Sequence, residues 1–173
     1  MNAAGLIFSN IHDGSLPELT HRRTMASVPF GCRYRLIDFT LSNMVNSNIS
    51  KVGVITHYNY QSLMDHMGSG KEWDLHGKRS GLHILPPFMT NDNVGMYSGF
   101  LDALRSNTDY LKRSKEKYVV ITDTHMLFSV RYDDMVDAHV KSGADITLLY
   151  TTDASLRAQG PGRFIQVEED QTV

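Results

Sequence analysis

Three segments hold the residues that could do chemistry. The first is "SNIHDGSLPELTHRRTM", residues 9–25, directly after an apolar run. Nucleotide-binding folds place a phosphate-cradling loop at such a point. That loop needs glycines for close backbone approach and a cation for the phosphates. This one offers a single glycine, Gly14, and no Lys or Arg before Arg22 and Arg23. The two adjacent arginines could hold an anionic effector such as a sugar phosphate, or stand as solvated loop charge. The second segment is "YVVITDTHML", residues 118–127. Asp123 there could bind Mg²⁺ or serve as a solvated or capping carboxylate. The third is "CRYRLIDF", residues 32–39. Its Arg33, Arg35 and Asp38 could form a ligand site, but an ion-pair network that fixes the loop to the following helix is the favoured reading.

Other chemistries lack their signatures. The eight histidines show no metal-ligand spacing such as H-E-x-x-H, so no zinc site is assigned. Neither a G-x-S-x-G elbow nor a Walker loop occurs. A formal net charge of -2 argues against bulk electrostatic binding of nucleic acid. The apolar runs are too short to cross a membrane. Met1-Asn2-Ala3-Ala4 lacks the basic and apolar regions of a signal peptide. Cys32 is the sole cysteine, so no internal disulfide forms; a cytoplasmic location is expected.

The elements that must position these residues alternate. Residues 3–8, 51–56, 117–122 and 145–151 read as buried strands, and 82–85 as a shorter one. Leu36, Ile37, Leu41, Met44 and Val45 mark a helix. Leu63, Met64 and Met67 mark a second, and Phe100, Leu101, Leu104 and Leu111 a third. Met135, Val136, His139 and Val140 mark a fourth, closed by Gly143. The alternation predicts an α/β fold with a mostly parallel sheet and helices on both faces. Ligands on such sheets bind beyond the carboxyl ends of the strands. The loops 9–30, 56–60 and 122–130 are therefore the ones to watch, and they include His57 at a strand end. The 173 residues suffice for one sizeable domain. The closing "RFIQVEEDQTV", residues 163–173, reads as a strand entering a turn, and the expectation is that 1–173 is the front, incomplete part of a longer protein.

The stretch "VPFGCRYRLIDFTLSNMVNSNISKVGVITHYN", residues 28–59, strongly resembles the bacterial and plant ADP-glucose pyrophosphorylases, or glucose-1-phosphate adenylyltransferases. The pattern P-F-G-x-x-x-R-x-I-D-F-x-L-S-N-x-x-N-S-x-I carries the likeness. It continues at "MYSGFLDAL", residues 96–104, where the family has W-Y-x-G-T-A-D-A, and at 118–127, where it has Y-V-V-x-x-G-D-H-I-Y. The resemblance implies a Rossmann-like nucleotidyltransferase domain, which in the family is followed by a β-helix. It implies ATP and glucose 1-phosphate as substrates, ADP-glucose and pyrophosphate as products, and Mg²⁺ in the catalytic members. Such chemistry is mostly positioning and charge neutralisation.

Set on the family's G-G-x-G-T-R-L-x-x-L-T loop, Asn10 and Ile11 replace the paired glycines and Asp13 the third, putting a carboxylate toward a triphosphate. Ser15 stands for the catalytic Arg, Met25 for the Lys, Ala26 for the Pro after it and Thr124 for the metal-holding Asp. Phe88 and Met89 stand where adenine-reading Gln residues often occur. Gly14, Gly99 and Asp102 remain as residual nucleotide-side positions, Gly99 explained equally well as a helix start. Arg33, Arg35, Asp38, Ser42 and Asn43 form the retained structural and assembly motif. Arg22, Arg23 and His57 are the effector candidates; His57 could equally be a plain loop residue.

These losses resemble the noncatalytic D-type regulatory subunit that accompanies a catalytic sister subunit in a hetero-tetramer. The leading expectation is therefore a catalytically silent subunit in glycogen synthesis, with no nucleic-acid or membrane partner and no cofactor assigned to this chain. An active nucleotidyltransferase with a divergent loop, using Asp123 and Arg22 or Arg23, is one alternative. A stand-alone sugar-phosphate-binding module is the other.

Overall fold

A computed structural model describes residues 2–77, 80–87, 97–153 and 165–168. The chain divides into two compact units, Met1–Gly143 and Ala144–Val173. In the first unit, β1 (Ala3–Phe8), β4 (Lys51–Ile55), β5 (Gly81–Leu85) and β6 (Tyr118–Asp123) form one parallel sheet in the order β5-β4-β1-β6. A hairpin of β2 (Pro29–Phe30) and β3 (Tyr34–Arg35) stands apart from it. The helices are α1 (Pro17–Thr20), α2 (Leu36–Asn46), α3 (Gln61–Met67), α4 (Phe100–Ser106), α5 (Thr108–Lys112) and α6 (Tyr132–Ser142).

Two apolar layers clothe the sheet. Alternate strand residues point to opposite faces, so Ala3 and Ile7 of β1 join Val52 and Val54 of β4 on one face, against Ile37, Leu41 and Met44 of α2, Leu63 and Met67 of α3 and Val136 of α6. Leu6, Phe8 and Ile55 face the other way, where Ala103 of α4 and the partly buried Tyr110 and Leu111 of α5 cover them. Each layer presses closely on the sheet at one glycine. A Cβ on Gly5 would lie 2.8 Å from the Met44 sulfur, and one on Gly53 would lie 2.9 Å from both Leu85 and Tyr110.

The chain enters the sheet at β1, builds outward through β4 and β5, then returns to add β6 on the opposite side of β1. Where strand order reverses in this way, the loops on either side part and leave a crevice at the carboxyl ends. Here that point lies between β1 and β6, where Phe8 is paired with Asp123.

Two expected elements differ. The single helix expected over Phe100–Leu111 is two helices broken at Asn107, whose amide donates to the Ala103 carbonyl at 2.8 Å. An Asn side chain that bonds its own backbone competes with helix propagation. Residues 145–151 do not form the expected strand. Their apolar run, Ile146-Thr147-Leu148-Leu149-Tyr150, carries the right propensity, but Ile146 is 78% exposed and, among the described residues, no strand pairs with the segment. Propensity alone does not make a strand without a ladder partner and a face to bury. In the second unit the described residues, 144–153 and 165–168, have no regular secondary structure, and the strand expected from 163 onward falls partly outside them. No described helix is long and apolar enough to cross a membrane.

Candidate functional site at the carboxyl end of the sheet

The loop after β1 does not follow a glycine-cradle path. Among residues 9–15 none adopts a positive φ, Gly14 included. The segment instead makes a short 3-10 turn at Asp13–Ser15, then α1, then a second 3-10 turn at Met25–Ser27. The Asp13 carboxylate, expected from its place in the loop to point toward a triphosphate, instead turns inward. It is 4% exposed, and its Oδ1 accepts the Met25 N–H at 2.6 Å. The Thr20 hydroxyl closes the other side, donating to the Asp13 and Leu16 carbonyls at 2.7 and 2.8 Å. The physical reason is an unsatisfied N–H: the chain reverses at Met25, and a buried donor there requires an acceptor. Burial pushes the Asp13 carboxyl up to about 6, with the Met25 hydrogen bond opposing the shift.

Met25 itself is an apolar residue of the interior, packed with Val28 and Leu36. Thr124 is 1% exposed. Ser15 lies on the rim of a cleft of about 420 Å³ with His12 and His125, whose walls are Leu16, Leu19, Val28, Phe30 and Leu127. Among the described residues, no Lys or Arg lines it. A second cleft of about 510 Å³ is lined by His21, Arg22 and Arg23, with Glu18 beside them. The two expected effector arginines therefore share one concavity, and an acidic residue shares it with them.

At the reversal point three polar side chains converge. His12 comes from the loop after β1, Asp123 ends β6, and His125 follows two residues later. The His125 Nδ1 lies 2.5 Å from Asp123 Oδ1, and the His12 Nε2 lies 3.3 Å from Asp123 Oδ2. The two imidazole rings stack obliquely with centroids 3.8 Å apart. Burial opposes ionisation of Asp123, but the His125 hydrogen bond and the charges of His125 and His12 outweigh it and hold the carboxyl below the ordinary carboxylate range. Sequence spacing concealed this cluster, because its members come from loops far apart in the chain. The only signal available was that both loops follow the carboxyl ends of neighbouring strands.

Mg²⁺, the cation implied by the family resemblance, takes oxygen ligands in a near-ideal octahedron. Here a buried threonine occupies position 124, and the carboxylate of Asp123 is held by two imidazoles. These residues do not fit Mg²⁺.

The remaining sequence-derived residues sit as follows. Asp38 accepts the Arg35 N–H at 3.0 Å, capping α2, and its other oxygen lies 2.6 Å from His66 Nε2 on α3. The Arg35 guanidinium reaches past Asp38 to the Ser62 carbonyl and hydroxyl, at 2.5 and 2.8 Å. Arg33 lies over the Tyr34 ring. Ser42 donates to the Asp38 carbonyl at 2.6 Å, and Asn43 donates to the Phe128 carbonyl at 2.8 Å. The segment thus ties α2 to α3 and to the loop after β6. Asp102 accepts the Ser98 N–H at 2.9 Å, and Gly99 is the N-cap of α4 in ordinary extended geometry. His57 is half-buried between Tyr58 and Tyr97, and desolvation lowers its pKa. Phe88 and Met89 lie outside the described residues.

Residues 15–173 match the nucleotidyl transferase family. The chain belongs to that family. The nucleotidyl transferase chain is 40% identical over 156 residues to the glycogen biosynthesis protein GlgD of Bacillus subtilis, an alignment covering 88% of this chain and 44% of that protein. It is 38% identical over 147 residues to a glucose-1-phosphate adenylyltransferase of Thermotoga neapolitana, covering 85% and 35%. The chain thus spans less than half the length of these relatives. Its fold resembles a Bacillus anthracis protein, described as a glucose-1-phosphate thymidylyltransferase in complex with a sucrose, at a TM-score of 0.61 and 18% identity, over 80% of this chain and 50% of the other. At that identity the likeness speaks for the Rossmann-like nucleotidyltransferase fold alone.

Proposed function

We propose that the nucleotidyl transferase chain is part of a catalytically silent, regulatory subunit that acts beside a catalytic glucose-1-phosphate adenylyltransferase in glycogen synthesis. The observation that carries this reading is the cleft next to the sheet's reversal point. A triphosphate is stabilised by cations and backbone N–H groups aimed at its charge. This cleft presents leucines, a valine, a phenylalanine and Met25, with no Lys or Arg among the described residues that line it. The loop carboxylate is turned onto the Met25 N–H, and Met25 lends the cleft an apolar side chain packed with Val28 and Leu36. A relative named for glycogen biosynthesis and one named as an adenylyltransferase support the pathway and the partner class. The retained Arg35–Asp38–Asn43 segment, which caps α2 and bonds it to α3 and to the loop after β6, supports a scaffold kept for folding and assembly. In this reading the concavity of His21, Arg22 and Arg23 is the place for an anionic effector.

The test pairs calorimetry with reconstitution. The chain alone should bind ATP·Mg²⁺ with millimolar Kd or weaker, about -4 kcal/mol or less favourable, and form no ADP-glucose. The full-length protein should co-purify with a sister subunit carrying an intact G-G-x-G-T-R-L loop, and change that subunit's response to effectors. Micromolar ATP affinity with turnover by the full-length protein alone would overturn the reading.

A further inference from the structure

The chemistry left at the reversal point is that of a different metal. We propose that His12, Asp123 and His125 form a binding site for a borderline divalent transition metal such as Zn²⁺, with a fourth position open to water.

The argument begins with donor type. Two imidazoles and one carboxylate are a set that suits Zn²⁺, Co²⁺ or Ni²⁺, whereas Mg²⁺ prefers oxygen throughout. It continues with distance. Zinc bonds to His nitrogen and carboxylate oxygen are about 2.0–2.1 Å, so neighbouring ligand atoms of a tetrahedral site stand about 3.3 Å apart. The His12 Nε2 and Asp123 Oδ2 already stand at 3.3 Å. One ligand atom from each of the three residues can be chosen so that all lie within 4.8 Å of one another. The His125 Nδ1 and Asp123 Oδ1, at 2.5 Å, are closer than a shared metal would leave them. A small rotation of the partly exposed His125 ring would widen that pair.

Placement adds a third strand to the argument. Asp123 ends β6 beside Phe8, the last residue of β1, so the backbone holds it in register with the start of the His12 loop. Asp123 is thus anchored on a strand, while His12 and His125 come from the loops that follow β1 and β6 and line the cleft there, which leaves an entry path. A metal bound there would clasp the loop after β1 to the loop after β6. This holds whether or not the full-length protein turns over substrate, so it stands apart from the proposed regulatory role.

The experiment uses the whole chain after treatment with a chelator. Zn²⁺ should bind at one equivalent per chain and raise the melting temperature, because a ligand of the native state stabilises it. Mg²⁺ in large excess should neither compete nor stabilise. Co²⁺ should give the visible bands of a four-coordinate nitrogen–oxygen site. His12→Ala, Asp123→Asn and His125→Ala should each weaken Zn²⁺ binding at least about tenfold. His76→Ala, which alters an exposed histidine beside Asp74 well away in sequence, should leave it unchanged. Should any site variant fail to fold, the unaltered chain still decides: bound Co²⁺ must broaden the ring protons of His12 and His125 in the NMR spectrum and spare those of His66 and His139. No Zn²⁺ binding, binding indifferent to the three site variants, equal affinity for Mg²⁺, or broadening of other histidines would each overturn the proposal.

Discussion

Replacing Asp13 by Asn should stabilise the chain at pH 8 and fail to do so at pH 4.5. The carboxyl is buried, one oxygen takes the Met25 N–H and the other has no hydrogen-bond partner. Its pKa rises from 3.8 to about 6 on folding. A raised acid pKa means that the folded chain binds the proton more tightly than the unfolded one. Between about pH 4 and 6 the folded state therefore carries more protons, and stability falls as pH rises through that window. Two pKa units at 1.36 kcal/mol each set the upper limit of the loss at about 3 kcal/mol. Asn keeps a carbonyl for the Met25 N–H and cannot ionise. It places an amide where the unpartnered oxygen stood, which returns a penalty of about 1–2 kcal/mol. The net gain at pH 8 is then about 1–2 kcal/mol, or roughly 3–6 °C in melting temperature for a chain of this size. At pH 4.5, where the native Asp13 is mostly neutral, Asn should be neutral or slightly destabilising. Thermal melts of both proteins from pH 4.5 to 8 measure the difference directly, since all other titrations are common to the two. Parallel melting curves across that range would refute the assignment of a buried, destabilising carboxylate.

Cys32 sits at φ 72° in the turn between β2 and β3, next to Gly31 at φ 59°; Cys32→Gly should stabilise by about 1 kcal/mol, read from urea unfolding. Met25→Lys should destabilise by about 1–3 kcal/mol, because an ammonium would replace the apolar side chain packed with Val28 and Leu36; its melting temperature should fall without a gain in ATP binding. Asp38→Ala removes the acceptor for both the Arg35 N–H and His66, and should cost about 1–3 kcal/mol in chemical denaturation. Gly53→Ala forces a methyl against Leu85 and Tyr110, and should cost about 1–3 kcal/mol.

Much of the fold was legible because burial on both faces leaves a plain mark. "KVGVIT" and "KYVVIT" read as parallel strands, and β4 and β6 lie within a residue of those limits. Gly143 closes α6 in the left-handed conformation, as its place after the last apolar residue implied. The break at Asn107 was not legible, since the residue's choice between helix and self-capping depends on contacts made with Ala103 and Tyr97. Residues 145–151 show the converse failure. Their β-branched, apolar pattern states a preference, and a preference for strand is realised only against a partner.

The site was harder to read than the fold because side-chain direction in a loop is decided by whichever donor or acceptor is left unmatched. Position 13 was read as facing a phosphate because it replaces a glycine of a phosphate loop. Its carboxylate turns inward because the Met25 N–H needs it there. The same logic explains why the departures at 13 and 25 occur together. Once Met25 is apolar it packs beneath the loop beside Val28 and Leu36, the backbone N–H at that point is buried with it, and an acceptor from the preceding turn becomes valuable. The two residues that look like separate losses of phosphate chemistry are one structural unit, a hydrogen-bonded latch over an apolar plug. Restoring Lys at 25 alone would remove the apolar plug and leave the Asp13 carboxylate turned onto the backbone N–H of that residue. In the reading proposed above, a route to phosphate binding changes the latch and the plug together.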